Sequence, residues 1–239
     1  MRSDGWLETY RGTVFRWEVD ANDHFTVAYY LARFGDAATA LLHTLGLGPA
    51  PTLECYIRYS RELRVGDLMH VDSAVIAVEP DGLRLGHKLV ESTEGALCTT
   101  VEHRLAVTLT SEQRRATEAR RATWDGPPRE SRPHPKSLAG FGLTPTYMRD
   151  QHRGFSTFEF QLGFEGGVRA GDPLIVRSAL THVGNSSMRI LHVMTDERSG
   201  ERVATLEQSG VHLDLDARRP APLPPPLRDQ ALKLLVPTR

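Results

Sequence analysis

The chain has 239 residues, enough for one large domain or two small ones. Hydrophobic residues make up 40% and charged residues 25%, which excludes wholesale disorder. Lys plus Arg (29) nearly balance Asp plus Glu (30), and the net charge of -1 gives no electrostatic reason to bind nucleic acid or an anionic membrane.

Two cysteines, Cys55 and Cys98, are too few for a disulfide framework or a thiolate metal site. The N-terminus has no apolar signal core, and no run of about 18 apolar residues exists. These features together predict a soluble cytoplasmic protein with two reduced core thiols.

In chain order, the first strand is expected over Gly12 to Val19. A helix follows over Val27 to Leu45, its apolar positions Val27, Tyr30, Leu31, Phe34, Ala38, Leu41 and Leu45 recurring at helical spacing. Thr26 is placed to cap it, and Gly46 and Pro49 stop it. From Glu54 to Leu109 short alternating runs are punctuated by turns at Val65-Gly66-Asp67, Pro80-Asp81-Gly82 and Thr93-Glu94-Gly95, which predicts an antiparallel meander. A charged helix is expected over Ser111 to Thr123, with Ser111 as cap. Residues 125 to 136, rich in Pro and Gly, read as a linker, and Ser137 to Gln151 as a short helical remnant. A second meander then ends in a helix over Pro226 to Leu235.

The second meander repeats the first. At an offset of 105, Glu54 to Leu109 matches Glu159 to Asp214 without a gap, with 13 identities in 56 positions. About 3 would be expected from typical composition. The identities include Arg64/Arg169, Gly66/Gly171, Asp67/Asp172, Ser73/Ser178, Arg84/Arg189, His87/His192, Gly95/Gly200 and Glu102/Glu207. The chain reads as a duplication: 1–124 complete, 125–136 linker, 137–239 a degenerate second copy.

Strand, loop, long helix and antiparallel meander is the element order of the hot-dog fold. The stretch Thr9 to Pro49 also resembles the N-terminal signature of the 4-hydroxybenzoyl-CoA-thioesterase-like acyl-CoA thioesterases. That family has an Asp after the first strand, then a Gly-His-hydrophobic-Asn run, then a Tyr-Leu pair opening the helix. The matching residues here are Asp20, Asp23-His24-Phe25-Thr26 and Tyr30-Leu31. Asp23 stands at the family's Gly and Thr26 at its Asn. The resemblance covers about residues 10 to 110 and, in part, the second meander. It implies an α+β double hot-dog chain, antiparallel sheets wrapped around a long central helix, in which the copies pair internally and one complete site remains. Two such chains could pair further as a homodimer.

The same resemblance implies an acyl-CoA thioesterase, acting on a small acyl group, that needs no cofactor beyond the coenzyme A of its substrate. Thioester hydrolysis needs a base or nucleophile and donors for an oxyanion. Asp20 suits the first role, with Asp23 as the other carboxylate at the helix start. The helix N-terminus suits the second, through the N–H groups of His24, Phe25, Thr26 and Val27. His24 is the candidate to hydrogen-bond the carbonyl or orient Asp20. Tyr30 or Tyr29 lines the pocket, since adjacent residues cannot both face the sheet. Arg58, Arg61 and Arg64 are the candidates for the coenzyme A phosphates. Glu54, aligned with Glu159, is a further acid within reach, while His87 and His192 read as structural. No metal-binding His or Cys spacing occurs. Two other classes share the fold: an enoyl-CoA hydratase, whose D-x-N-P-x-H run is matched incompletely by Asp20 to His24, and a non-catalytic acyl-CoA-binding module.

Overall fold

Each alternating run becomes a strand, and within each copy of the repeat the strands pair antiparallel. The computed structural model describes residues 4–20, 23–127, 143, 145–169 and 171–236. The chain divides into two units, Met1–Pro128 and Arg129–Arg239. The first contains β1 (Leu7–Thr13), α1 (Val27–Thr44), β2 (Thr52–Tyr59), β3 (Leu68–Glu79), β4 (Gly82–Glu91), β5 (Ala96–Ala106) and α2 (Ser111–Glu118), with sheet order β1-β3-β4-β5-β2. The second contains α3 (Pro145–Asp150), β6 (Arg153–Phe164), β7 (Leu174–Val183), β8 (Ser187–Asp196), β9 (Arg202–Asp214), β10 (Arg219–Pro220) and α4 (Pro225–Lys233), ordered β6-β9-β8-β7 with β10 on β9.

α1 lies on its sheet because its apolar stripe has nowhere else to be buried. Ala38, Leu41 and Leu42 pack on Val75, Leu83, Leu85 and Leu105. The opposite face is closed by Trp6, Ala122 and Trp124 over Ala74. Gly86 is required there, since a Cβ would stand 2.6 Å from the Trp124 ring.

The repeated residues turn out to be repeated devices. Asp67 accepts the Arg64 amide at 2.8 Å and Asp172 the Arg169 amide at 2.7 Å, each beside a glycine in the left-handed region, Gly66 at φ 88° and Gly171 at φ 94°. Arg84 lies 3.7 Å from Glu102, and Arg189 3.2 Å from Glu207. Three β-bulges recur at the same offset, Thr52/Glu54 with Thr157/Glu159, Val75/Ala77 with Leu180/His182, and Leu89/Val90 with Met194/Thr195.

A row of polar side chains also crosses each sheet. In the first unit Thr9 Oγ1 meets Ser73 Oγ (2.6 Å), Ser73 meets His87 Nδ1 (2.6 Å), and His103 Nε2 meets Thr52 Oγ1 (2.8 Å). The His87 and His103 rings lie 5.5 Å apart, with His87 Nε2 and His103 Nδ1 lacking partners among the described residues. In the second unit Ser178 meets His192 (2.6 Å), His192 bonds Gln208, and Gln208 Nε2 donates to Thr157 (2.5 Å). His87 and His192 are thus sheet residues, as their repetition suggested.

Several boundaries differ from the sequence reading. The first strand is Leu7–Thr13, not Gly12 to Val19; it stops where the chain must turn into a short 3-10 segment, Arg16–Glu18. Thr26 occupies the cap position of α1 without a side-chain cap bond. Thr110, not Ser111, caps α2, its hydroxyl accepting the Gln113 amide, and the helix ends at Glu118. α4 runs Pro225–Lys233. Of the expected linker, Asp125 belongs to the first unit, bound to Lys88 at 2.6 Å. Most of the linker, and the stretch in which a second long helix would fall at the same offset, lie outside the described residues. α3 falls within the expected remnant, where the offset places the end of α1. Among the described residues no helix is long and apolar enough to cross a membrane.

Candidate active site

The chain leaves β1, makes the 3-10 turn, and closes a loop onto the start of α1. The loop is pinned from beneath. Glu18 is 1% exposed; it forms an ion pair with Arg33 of α1, and its other oxygen accepts the Phe15 amide at 2.9 Å. A buried carboxylate survives only with such partners. Val19 and Phe25 bridge, which brings Asp20 and His24 side by side.

Asp20 is exposed there. One carboxylate oxygen accepts the His24 amide at 3.0 Å, and its own amide donates to the His24 carbonyl at 2.9 Å. Asp23 has φ 63°, in the left-handed region that Gly adopts freely and that Asp tolerates better than most residues. Its carboxylate is held by Arg16 at 3.0 Å.

His24 relates to Asp20 through its backbone; its ring Nε2 lies 3.1 Å from Glu62. The amides named from sequence are mostly engaged. His24 donates to Asp20, Phe25 to the Leu63 carbonyl (2.8 Å) and Thr26 to the Glu18 carbonyl (2.9 Å). Val27 and Ala28, the first two residues of α1, have no backbone acceptor among the described residues. The unengaged donors therefore lie one step further into the helix than the sequence suggested.

Behind the loop Tyr30 is buried and Tyr29 half-buried. Phe25 packs edge-on to Tyr30 at 4.6 Å, and Tyr59 edge-on at 5.0 Å. Burial raises the Tyr30 phenol above its ordinary range, against the Leu63 amide, which lowers it. Cys98 is also buried, and burial raises its thiol. Of the three arginines, Arg61 pairs with Glu94 at 2.7 Å, Arg64 sits half-exposed in the Asp67 turn, and Arg58 lies on β2. Glu54 is half-buried on β2, and its counterpart Glu159 accepts a bond from Ser209 at 3.1 Å. Sequence reasoning missed Glu18, Arg33, Glu62 and Ala28. The one signal for the first two was a charge at each of two positions otherwise facing the core.

The chain also resembles known proteins. The model of the thioesterase-like superfamily matches residues 14–139 and 134–231. A curated relative, the L-carnitine dehydrogenase/betainyl-CoA thioesterase of Agrobacterium fabrum, is 34% identical over 95 residues, 36% of this chain and 19% of the relative. Among solved structures, the 12:0-ACP thioesterase of Umbellularia californica has a TM-score of 0.67 at 11% identity, covering 87% of this chain and 95% of its own. An acyl-ACP thioesterase of Bacteroides thetaiotaomicron has 0.65 at 11%, covering 86% and 98%. The last two likenesses establish the hot-dog fold, and the family match extends over both meanders: the chain belongs to the thioesterase-like superfamily.

Proposed function

We propose that the chain is an acyl-CoA thioesterase releasing a small acid and free coenzyme A, with Asp20 as the working carboxylate. The observation that carries this is Asp20 itself: exposed, fixed by the His24 amide, beside a helix whose first two amides have no backbone acceptor among the described residues. Val27 and Ala28 N–H groups, backed by the helix dipole, would hold the oxygen of the tetrahedral intermediate. With Asp20 as base, it takes a proton from water as the hydroxide adds to the thioester carbon. As the intermediate collapses, the C–S bond breaks and the thiolate takes that proton back. With Asp20 as nucleophile, its oxygen adds to the thioester carbon, the C–S bond breaks to release the thiolate and leave an Asp20 anhydride, and water then cleaves the anhydride to the free acid and the Asp20 carboxylate, the proton set free passing to the thiolate. Tyr30 and Phe25 would wall the acyl side, and Arg64 is the arginine of the three with the least claim on it from a neighbouring carboxylate. Coenzyme A enters only as part of the substrate.

The relative named above hydrolyses betainyl-CoA by its name, and a small acyl group bearing a quaternary ammonium is the class we carry to this chain. The test is thiol release from acetyl-, betainyl-, octanoyl- and 3,3-dimethylbutyryl-CoA by wild type and Asp20→Asn. Turnover by wild type, lowered roughly 100- to 10,000-fold in Asp20→Asn, is the expected result. Turnover that survives the change refutes the role of Asp20.

A further inference from the structure

The site loop carries a feature that hydrolysis does not use. Phe15 and Trp17 stack with ring centroids 4.6 Å apart and planes 5° from parallel, yet both stand in water, Trp17 at 69% and Phe15 at 42% exposure. Trp17 is the most exposed large apolar side chain among the described residues. Leaving such rings unburied forgoes about 1.5–3 kcal/mol apiece, so a paired, exposed aromatic ledge marks a contact surface. The ledge is rigid: the Phe15 amide is tied to buried Glu18, and Glu18 to Arg33. The nearby cations are engaged elsewhere, Arg16 on Asp23 and Arg33 on Glu18. Two other aromatic faces in this unit carry a cation of the chain itself, Lys88 at 4.4 Å from the Trp6 centroid and Arg33 at 5.3 Å from Tyr10.

Resting on the thioesterase reading, we propose that Trp17, backed by Phe15, is the specificity-determining residue for the acyl group, its open face receiving a methylated ammonium borne next to the thioester carbonyl. Reach decides between the candidates for that face. Trp17 precedes Asp20 by three residues, at most about 11 Å along the chain. A carbonyl in reaction with Asp20 or its water lies about 3–3.5 Å from the attacking oxygen. In a betainyl group the nitrogen is one methylene beyond that carbonyl, and a cation binds an aromatic face within about 6 Å of its centroid. These lengths join end to end. The adenine of coenzyme A, the other flat or cationic partner an indole could take, is carried at the far end of the pantetheine arm, beyond the reach of a residue so near Asp20. A quaternary ammonium has no N–H to satisfy, so a bare ring face with no added acceptor suits it.

The test compares betainyl-CoA with 3,3-dimethylbutyryl-CoA, which has the same shape with carbon in place of nitrogen and no charge. Wild type is expected to favour betainyl-CoA about 5- to 30-fold in kcat/KM. Trp17→Leu, checked for an unchanged denaturation midpoint, brings that ratio near one through KM for betainyl-CoA, and Trp17→Phe retains part of it. A wild-type ratio near one, or a ratio that survives in Trp17→Leu, overturns the proposal while leaving the thioesterase reading intact. A Trp17→Leu change in solution mass with the ratio kept overturns it in favour of an interface between copies. No thiol from any acyl-CoA in the panel removes it together with the reading on which it rests.

Discussion

Replacing His103 by Gln should make the chain more resistant to acid. His103 is buried under α1 with one nitrogen on Thr52 and the other without a partner among the described residues. Burial pushes its pKa from 6.5 down to about 4. In the unfolded chain the ring titrates near 6.5, so below that pH the unfolded state binds a proton that the fold refuses. The stability from neutral His103 is therefore fully present above pH 6.5 and lost as pH falls toward 4. Integrated, the loss is about 2 kcal/mol by pH 5 and about 3 kcal/mol by pH 4. His87 acts in the same direction, its pKa driven well below 6.5 by burial and by His103 beside it. Gln is the right replacement because the second unit carries Gln208 at this register, bonded to both His192 and Thr157. Urea denaturation of wild type and His103→Gln at pH 7, 6 and 5 should show the difference moving toward the variant by about 2 kcal/mol over that range. Carboxylates titrate alike in both proteins and cancel. Parallel curves would refute the reasoning. A finer consequence concerns the tautomer of His87. The Thr9 hydroxyl donates to the Val71 carbonyl, so Ser73 donates to Thr9 and His87 Nδ1–H donates to Ser73. Nitrogen NMR shifts should show the proton on Nδ1.

Two further substitutions test the loop. Glu18→Gln takes the charge from the buried member of the Glu18–Arg33 pair and leaves half-buried Arg33 with only Asp36, 3.7 Å away, so it should cost about 2–4 kcal/mol in urea denaturation; a loss under about 1 kcal/mol would mean the pair does not hold the loop. Asp23→Gly trades an exposed ion pair for freedom in the left-handed region, so stability should stay within about 1 kcal/mol of wild type and turnover should persist, whereas Asp23→Val should cost about 1–2 kcal/mol. Turnover abolished in Asp23→Gly as in Asp20→Asn would give the catalytic role to both carboxylates.

The repeat made the sheets legible because its identities sit where backbone geometry is least forgiving. Gly66, Asp67, Gly171 and Asp172 form the turns, and Ser73, His87, Ser178 and His192 lie at matched cross-strand positions. A residue that makes a left-handed turn, or fills one slot in a buried row, has few substitutes, so it persists when neighbours drift. The helix was legible for a related reason: its apolar stripe answers to a single packed face. The loop before it was not. Its strand was placed about six residues late because Gly12 to Val19 alternates like a strand, yet Phe15 to Glu18 coil once the Glu18 side chain can reach Arg33 and the Phe15 amide. That contact spans fifteen residues and has no local signature.

The oxyanion donors illustrate the same limit at the site. Spacing from Asp20 identified the helix start, but which amides stay unengaged depends on the Leu63 and Glu18 carbonyls, which come from other parts of the chain. They occupy the Phe25 and Thr26 amides and leave the donor pair at Val27 and Ala28. Residue types in a motif thus say which element carries the chemistry. The acceptors that the rest of the fold brings to that element decide which of its atoms perform it.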